Sequence, residues 1–225
     1  MGKPDLISFV GVEGVAVTSA AHNRSSRHPL SRRQLVLRGA AAAAGITAGG
    51  AVGLLRNSAT ALAATPSTEQ DRKIFNFALV LEYLQAAFYA EALRQGRLTG
   101  EVRHFAEVVA EHERAHVEYL RKALGAQARE RPRFDFGDAT RDEKSFLKAA
   151  VTLENTGVVA YNGQAANLTK PALAAAAEIV SVEGRHAAWV SDLAGQAPAP
   201  RAADVGQSAA EVLATLQSTR FLQST

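Results

Sequence analysis

The chain has 225 residues, 47% of them apolar and only 6% aromatic, with no cysteine. That is enough apolar material for one core of ordinary size, and the lack of cysteine excludes disulfides, zinc–thiolate sites, iron–sulfur clusters and thiol catalysis. The formal charge of +3 is concentrated at the start: residues 1–63 hold seven Lys/Arg and two acids, leaving residues 64–225 at −2, so no nucleic-acid-binding face is expected there.

Ser31-Arg32-Arg33-Gln34-Leu35-Val36-Leu37-Arg38 precedes an Ala/Gly-rich run from Gly39 to Leu55 and small residues at Ala59, Ala61 and Ala63. The order charged, apolar, small is the plan of a secretory signal, and the adjacent arginines resemble the twin-arginine export signal of bacteria. The apolar run is about 17 residues of weakly hydrophobic Ala and Gly, shorter than the roughly 20 a spanning helix needs. An N-terminal extension and a signal over residues 1–63, cleaved near Ala63 or Ala64, are therefore expected, with export across the cytoplasmic membrane to the periplasm or beyond. Membrane attachment would require the leader to be retained. The twin-arginine route resembles one for proteins that fold before they cross, often with a cofactor inserted.

Four helical stretches follow, in a composition rich in Ala, Leu, Glu, Arg and Gln. The first is predicted from about Glu69 to Gln95, opened by Ser67 with Gln70 three residues on and closed by Gly96. The second runs from about Gly100 to Leu124, between Thr99 and Gly125. The third, about Arg141 to Leu168, has Thr140 as its expected cap and Glu143 completing a capping box. The fourth starts at Pro171 and stops before Gly195. Residues 126–139, with Arg131-Pro132-Arg133-Phe134-Asp135-Phe136, have no helical pattern. Extended, they reach about 46 Å, more than the roughly 37 Å of a 25-residue helix. The predicted fold is all-α: a four-helix bundle over 67–195, up-down-down-up, with one long crossover between helices two and three. In the tail, 196–225, Ser208 and Glu211 open a short amphipathic helix near Ala209–Gln217, which can pack on the bundle or on a partner.

Each helix places an ionisable residue in the middle of its apolar stripe. The stripes run Phe75, Ala78, Glu82, Ala86, Tyr89 in helix one and Val109, Glu113, His116, Leu120 in helix two. They continue as Ala150, Glu154, Val158, Tyr161 in helix three and Ile179, Glu183, His186, Val190 in helix four. Midpoints of packed helices of equal length meet in one plane, and residues three apart share a face. Two helices thus give one glutamate each, and two give a Glu-x-x-His pair. Four carboxylates in a core repel one another and lose hydration at several kcal/mol per ion; two divalent cations balance them. Oxygen-rich ligation with one histidine per metal suits iron or manganese better than copper, and the lack of thiolate weakens zinc. The expected ligands are Glu82, Glu113, His116, Glu154, Glu183 and His186, with Glu113 and Glu183 bridging and Glu82 and Glu154 outermost. Glu82 precedes its Glu-x-x-His pair by 31 residues and Glu154 by 29, as in a duplicated hairpin with a pseudo-twofold axis. Glu111, His112 and Glu178 read as solvated rim residues, and His104 carries no assignment. Tyr89 and Tyr161 read as core packing with a buried hydroxyl ahead of the alternative that they hydrogen-bond the ligands or donate electrons, while Gln85 and Asn155 are candidates to reach the ligands whose orientation a single sequence does not give.

Leu81-Glu82-Tyr83, Glu111-His112-Glu113-Arg114-Ala115-His116-Val117, Leu153-Glu154-Asn155-Thr156-Gly157-Val158-Val159-Ala160-Tyr161 and Val182-Glu183-Gly184-Arg185-His186 resemble bacterial ferritin-like domain proteins, the group that includes desiccation-related proteins. The resemblance covers about residues 69–195 and matches all six ligand positions. It implies metal binding in a ferritin-like bundle without implying one reaction. The expected function is that of an exported protein with two iron ions, or iron–manganese or di-manganese. The ions would react with oxygen or peroxide as in a ferroxidase- or peroxidase-like oxidoreductase, in a stress or iron-handling role. The competing readings are non-catalytic metal storage or scavenging, and a structural stress-protective protein. Helices of this length can also pair or build a cage, so a homo-oligomer stays open.

Overall fold

The computed structural model describes residues 66–223; the expected export signal and the whole of segment 1–63 lie outside the described residues. The helices are α1 (Thr68–Gln95), α2 (Gly100–Leu124), α3 (Glu143–Gln164), α4 (Lys170–Leu193) and α5 (Ala209–Thr219), and the described residues contain no strand. None of the described helices is long and apolar enough to cross a membrane.

Contacts between helix ends fix the directions. Thr99 at the start of α2 donates through its N–H and hydroxyl to Glu143 at the start of α3, at 3.3 and 3.2 Å, so α2 and α3 run in parallel. Asp71 at the start of α1 accepts from the N–H and hydroxyl of Thr169, the cap of α4, at 2.9 and 2.6 Å, so α1 and α4 are parallel too. Short links join α1 to α2 and α3 to α4. The bundle is therefore up-down-down-up, with residues 125–142 as the long crossover.

Capping chemistry set most of the boundaries. Ser67 accepts from the N–H of Gln70 at 3.1 Å, and Gly96 closes α1 in the left-handed region that only glycine enters without strain. The third helix departs from expectation. Asp142, not Thr140, caps it, accepting from the N–H of Ser145 at 2.8 Å. Tertiary partners took both members of the expected capping box: buried Thr140 accepts from Gln95 at 2.9 Å within a 3-10 turn, and Glu143 serves Thr99. At its other end α3 tightens into a 3-10 turn at Ala165–Asn167, short of Leu168.

Over its middle, from Ile74 to Tyr89, α1 is buried nearly all round. One side faces the other helices. Elsewhere the crossover is clamped to α1 by Asn76, which donates to Gln127 O and accepts from Arg129 N, and by Tyr83, which donates to Arg129 O. The tail adds a second cover. Its helix α5, closed at its N-terminus by the full Ser208–Glu211 capping box, buries Val212, Leu213 and Leu216 and packs on α3. Phe221 then lies against Phe88 and Phe136, while Leu222 pairs antiparallel with Phe134 of the crossover.

Two glycines, Gly163 of α3 and Gly206 of the tail, let the tail lie backbone on backbone. Gln207 N donates to Val159 O at 2.9 Å, and a Cβ on Gly163 would stand 1.7 Å from Gln207 O. Gly163→Ala should therefore expel the tail despite the better helix propensity of alanine, at a cost of about 2–4 kcal/mol. Thermal melts and proteolytic cutting after residue 195 would register it. An unchanged melt with a protected tail would contradict the assignment.

Candidate metal centre

Glu82 of α1, Glu113 of α2, Glu154 of α3 and Glu183 of α4 are each at most 1% exposed, and His116 and His186 are buried beside them. The structure brings all six sequence-predicted residues together. Nδ1 of His116 lies 3.3 Å from Glu82, 3.5 Å from Glu113 and 3.1 Å from Glu183. Nδ1 of His186 lies 3.2 Å from both Glu113 and Glu154 and 3.9 Å from Glu183. Two groups result, Glu82–Glu113–His116–Glu183 and Glu113–Glu154–Glu183–His186. In each, one ligand atom per residue lies within 4.8 Å of all the others. Glu113 and Glu183 belong to both.

Hydrogen bonds go to the outer oxygens. Tyr161 donates to Glu82 Oε1 and Tyr89 to Glu154 Oε1, both at 2.6 Å, and Gln85 donates to Glu154 Oε1 at 3.1 Å and to Glu183 Oε2 at 3.5 Å. The inner atoms have no hydrogen-bond partner: both oxygens of Glu113, Glu154 Oε2, Glu183 Oε1 and Nδ1 of His186. The approaches to His186 are close without being aligned for a hydrogen bond. Burying an unsatisfied polar atom costs about 1–3 kcal/mol, more when charged, and these five converge on the two groups. A pair of divalent cations satisfies all of them at once, so the donor set fits such a pair.

Without cations the electrostatics separate the acids. Burial and the charge of Glu82 hold Glu113 well above the usual carboxylate range, and burial with Glu113 and Glu82 does the same to Glu183. Burial also pushes Glu82 up, but the close approach of His116 and of Glu113 outweighs it, and the net shift is down. Burial alone would lower His116; the adjacent carboxylates of Glu113, Glu183 and Glu82 raise it instead to about 12. The shifts thus favour an ionised Glu82–His116 pair and hold back the ionisation of Glu113 and Glu183. Burial, then the charge of the accepting glutamate, raises both tyrosines, which stay protonated donors.

Three expectations need correction. The tyrosine hydroxyls orient the glutamates rather than merely filling the core. Asn155 bonds Val151 O on the exposed side and does not reach the site. His112 is on the rim, as expected, but its Nδ1 lies 2.9 Å from Nε2 of His186. Its place four residues before His116, on the same helix face, was the available signal.

Gly157 is a contributor that pattern reading missed. A Cβ there would lie 2.7 Å from Glu183 Oε2. Gly157→Ala should weaken metal uptake at least tenfold even though alanine favours a helix interior by about 1 kcal/mol. Equilibrium dialysis measures this, and parental affinity would show that Glu183 has room to spare.

A family profile described as ferritin-like domain matches residues 70–196. No curated protein matches the chain.

Proposed function

Since the chain belongs to the ferritin-like domain family, we propose that it binds two metal ions, iron in the first place, and turns them over with oxygen or peroxide in iron handling or stress defence. The observation that carries this reading is the set of unpartnered inner oxygens on the buried Glu113, Glu154 and Glu183, which three helices gather beside Glu82 of a fourth. Glu82, Glu113, His116 and Glu183 would hold one ion and Glu113, Glu154, Glu183 and His186 the other. Oxygen-rich donors with one imidazole per ion suit iron, iron–manganese or di-manganese.

Two bound ferrous ions supply two electrons to an oxidant. The protein's part is to orient and to exclude water. Tyr161 and Tyr89 hold the outer oxygens of Glu82 and Glu154, leaving the inner ones to the ions. Gln85 restrains Glu154 and Glu183. Phe105, Phe146 and Tyr89, all wholly buried, keep solvent from one side of the centre. The leader around Arg32 and Arg33 supports export of the folded, loaded protein.

Elemental analysis of the purified chain is expected to find about two metals, most of them lost in a Glu113→Ala/His186→Ala variant. Equal metal content would sink the site. Oxygen uptake on ferrous addition then separates turnover from storage: consumption above that of free iron supports an oxidoreductase, and none favours a scavenging protein.

A further inference from the structure

The two halves of the centre correspond residue for residue with two exceptions. Glu82 and Tyr89 of α1 match Glu154 and Tyr161 of α3, and Glu113 and His116 of α2 match Glu183 and His186 of α4, at the same spacings. Three residues after the outer glutamate, however, α1 has Gln85 where α3 has Gly157. One residue before the shared glutamate, α2 has His112 where α4 has Val182.

Both exceptions favour the same half. Gln85 gives Glu154 a second donor besides Tyr89, whereas among the described residues Glu82 has Tyr161 as its only donor besides the neighbouring ligand His116. His112 stands behind His186: the rings are 17° from parallel with centroids 5.1 Å apart, and Nδ1 of His112 lies 2.9 Å from Nε2 of His186. Among the described residues none hydrogen-bonds Nε2 of His116.

A neutral imidazole carries one proton on one of its two nitrogens. When Nδ1 of His186 gives its lone pair to a cation, the proton sits on Nε2 and donates to Nδ1 of His112. That contact holds the rotation of His186 before any ion arrives and gives its Nε2–H an acceptor, whereas Nε2 of His116 has no such partner among the described residues. Such outer partners are commonly worth 10–100-fold in metal affinity.

Resting on the reading that the centre holds two ions, we propose that His112 is a positioning residue for His186 and makes the halves unequal, so that the half with Glu154 and His186 fills first. His112 is exposed on α2, so its replacement leaves the core intact.

The test is an anaerobic cobalt(II) titration of the metal-free full chain, followed by its visible ligand-field bands. The parent is expected to fill in two steps. His112→Ala should weaken the first step by about 10–100-fold and merge it with the second. His112→Asn, whose Oδ1 can take the place of Nδ1 as acceptor, should restore it. In a His186→Ala chain, His112→Ala should change nothing. An unchanged first step in His112→Ala, equal weakening without His186, or failure of asparagine to rescue would each overturn the proposal while leaving the metal centre standing. A parent that takes up no cobalt would overturn the metal centre and the proposal together.

Discussion

Replacing Glu113 with leucine should abolish uptake of both ions and, at the same time, raise the melting temperature of the metal-free chain. Glu113 is fully buried, offers one oxygen to each group and has no hydrogen-bond partner for either. In the metal-free protein it is a desolvated acid beside the charge of Glu82, which a leucine of similar volume removes. Replacing buried ionic groups by well-packed apolar ones is commonly neutral or stabilising, by about 1–4 kcal/mol, and for a chain of this size each kcal/mol moves the melt by about 2–4 °C. Metal acts in the other direction. A ligand bound only by the folded state at a thousand times its dissociation constant adds about 4 kcal/mol per site. Calorimetry with and without chelator should therefore rank loaded parent above metal-free Glu113→Leu, and that above metal-free parent. A variant melting below the metal-free parent would make Glu113 a structural residue. The ranking also separates the readings of the protein: if the bundle alone mattered, selection would have no reason to keep four carboxylates where leucine is more stable.

The helices were legible because their ends carry local chemistry. Ser67, Gly96, Gly125 and the Ser208–Glu211 box act within one turn of the residues they cap, and a single sequence displays such signals directly. The start of α3 was not legible, because Thr140 and Glu143 bond to Gln95 and Thr99, which are near them only once the crossover has folded. The centre divides in the same way. Four glutamates at helix midpoints point to a common plane by periodicity and length alone. The pairing of each tyrosine with the opposite hairpin's glutamate, Tyr89 with Glu154 and Tyr161 with Glu82, depends on which helices face each other. Gly157 could not be read at all, since what it contributes is the absence of an atom where Glu183 lies.

The metal-free and metal-loaded proteins should respond to pH in opposite directions. In the metal-free state Glu113 and Glu183 hold their protons more tightly than they do unfolded, where the carboxylate value is 4.5. The stability they contribute is complete below that value and is lost as pH rises toward their folded values. His116 has the same sign: raised from 6.5 to about 12, its contribution is complete below 6.5 and drains away as pH climbs through that interval. Glu82, shifted downward, opposes them only in acid, where its contribution is lost as pH falls below 4.5. Between about pH 5 and 9 the metal-free melting temperature should therefore fall. Ligation needs the unprotonated forms of Glu113, Glu183 and His116, all of which hold their protons more tightly than usual, so filling the centre should release protons and its apparent affinity should rise with pH. Titration calorimetry in buffers of different ionisation heat counts those protons, and melts across the same range give the slopes. A metal-free chain that gains stability from pH 5 to 8, or loading that releases no protons, would mean that the acids are already ionised and balanced by something other than His116 and their own protons.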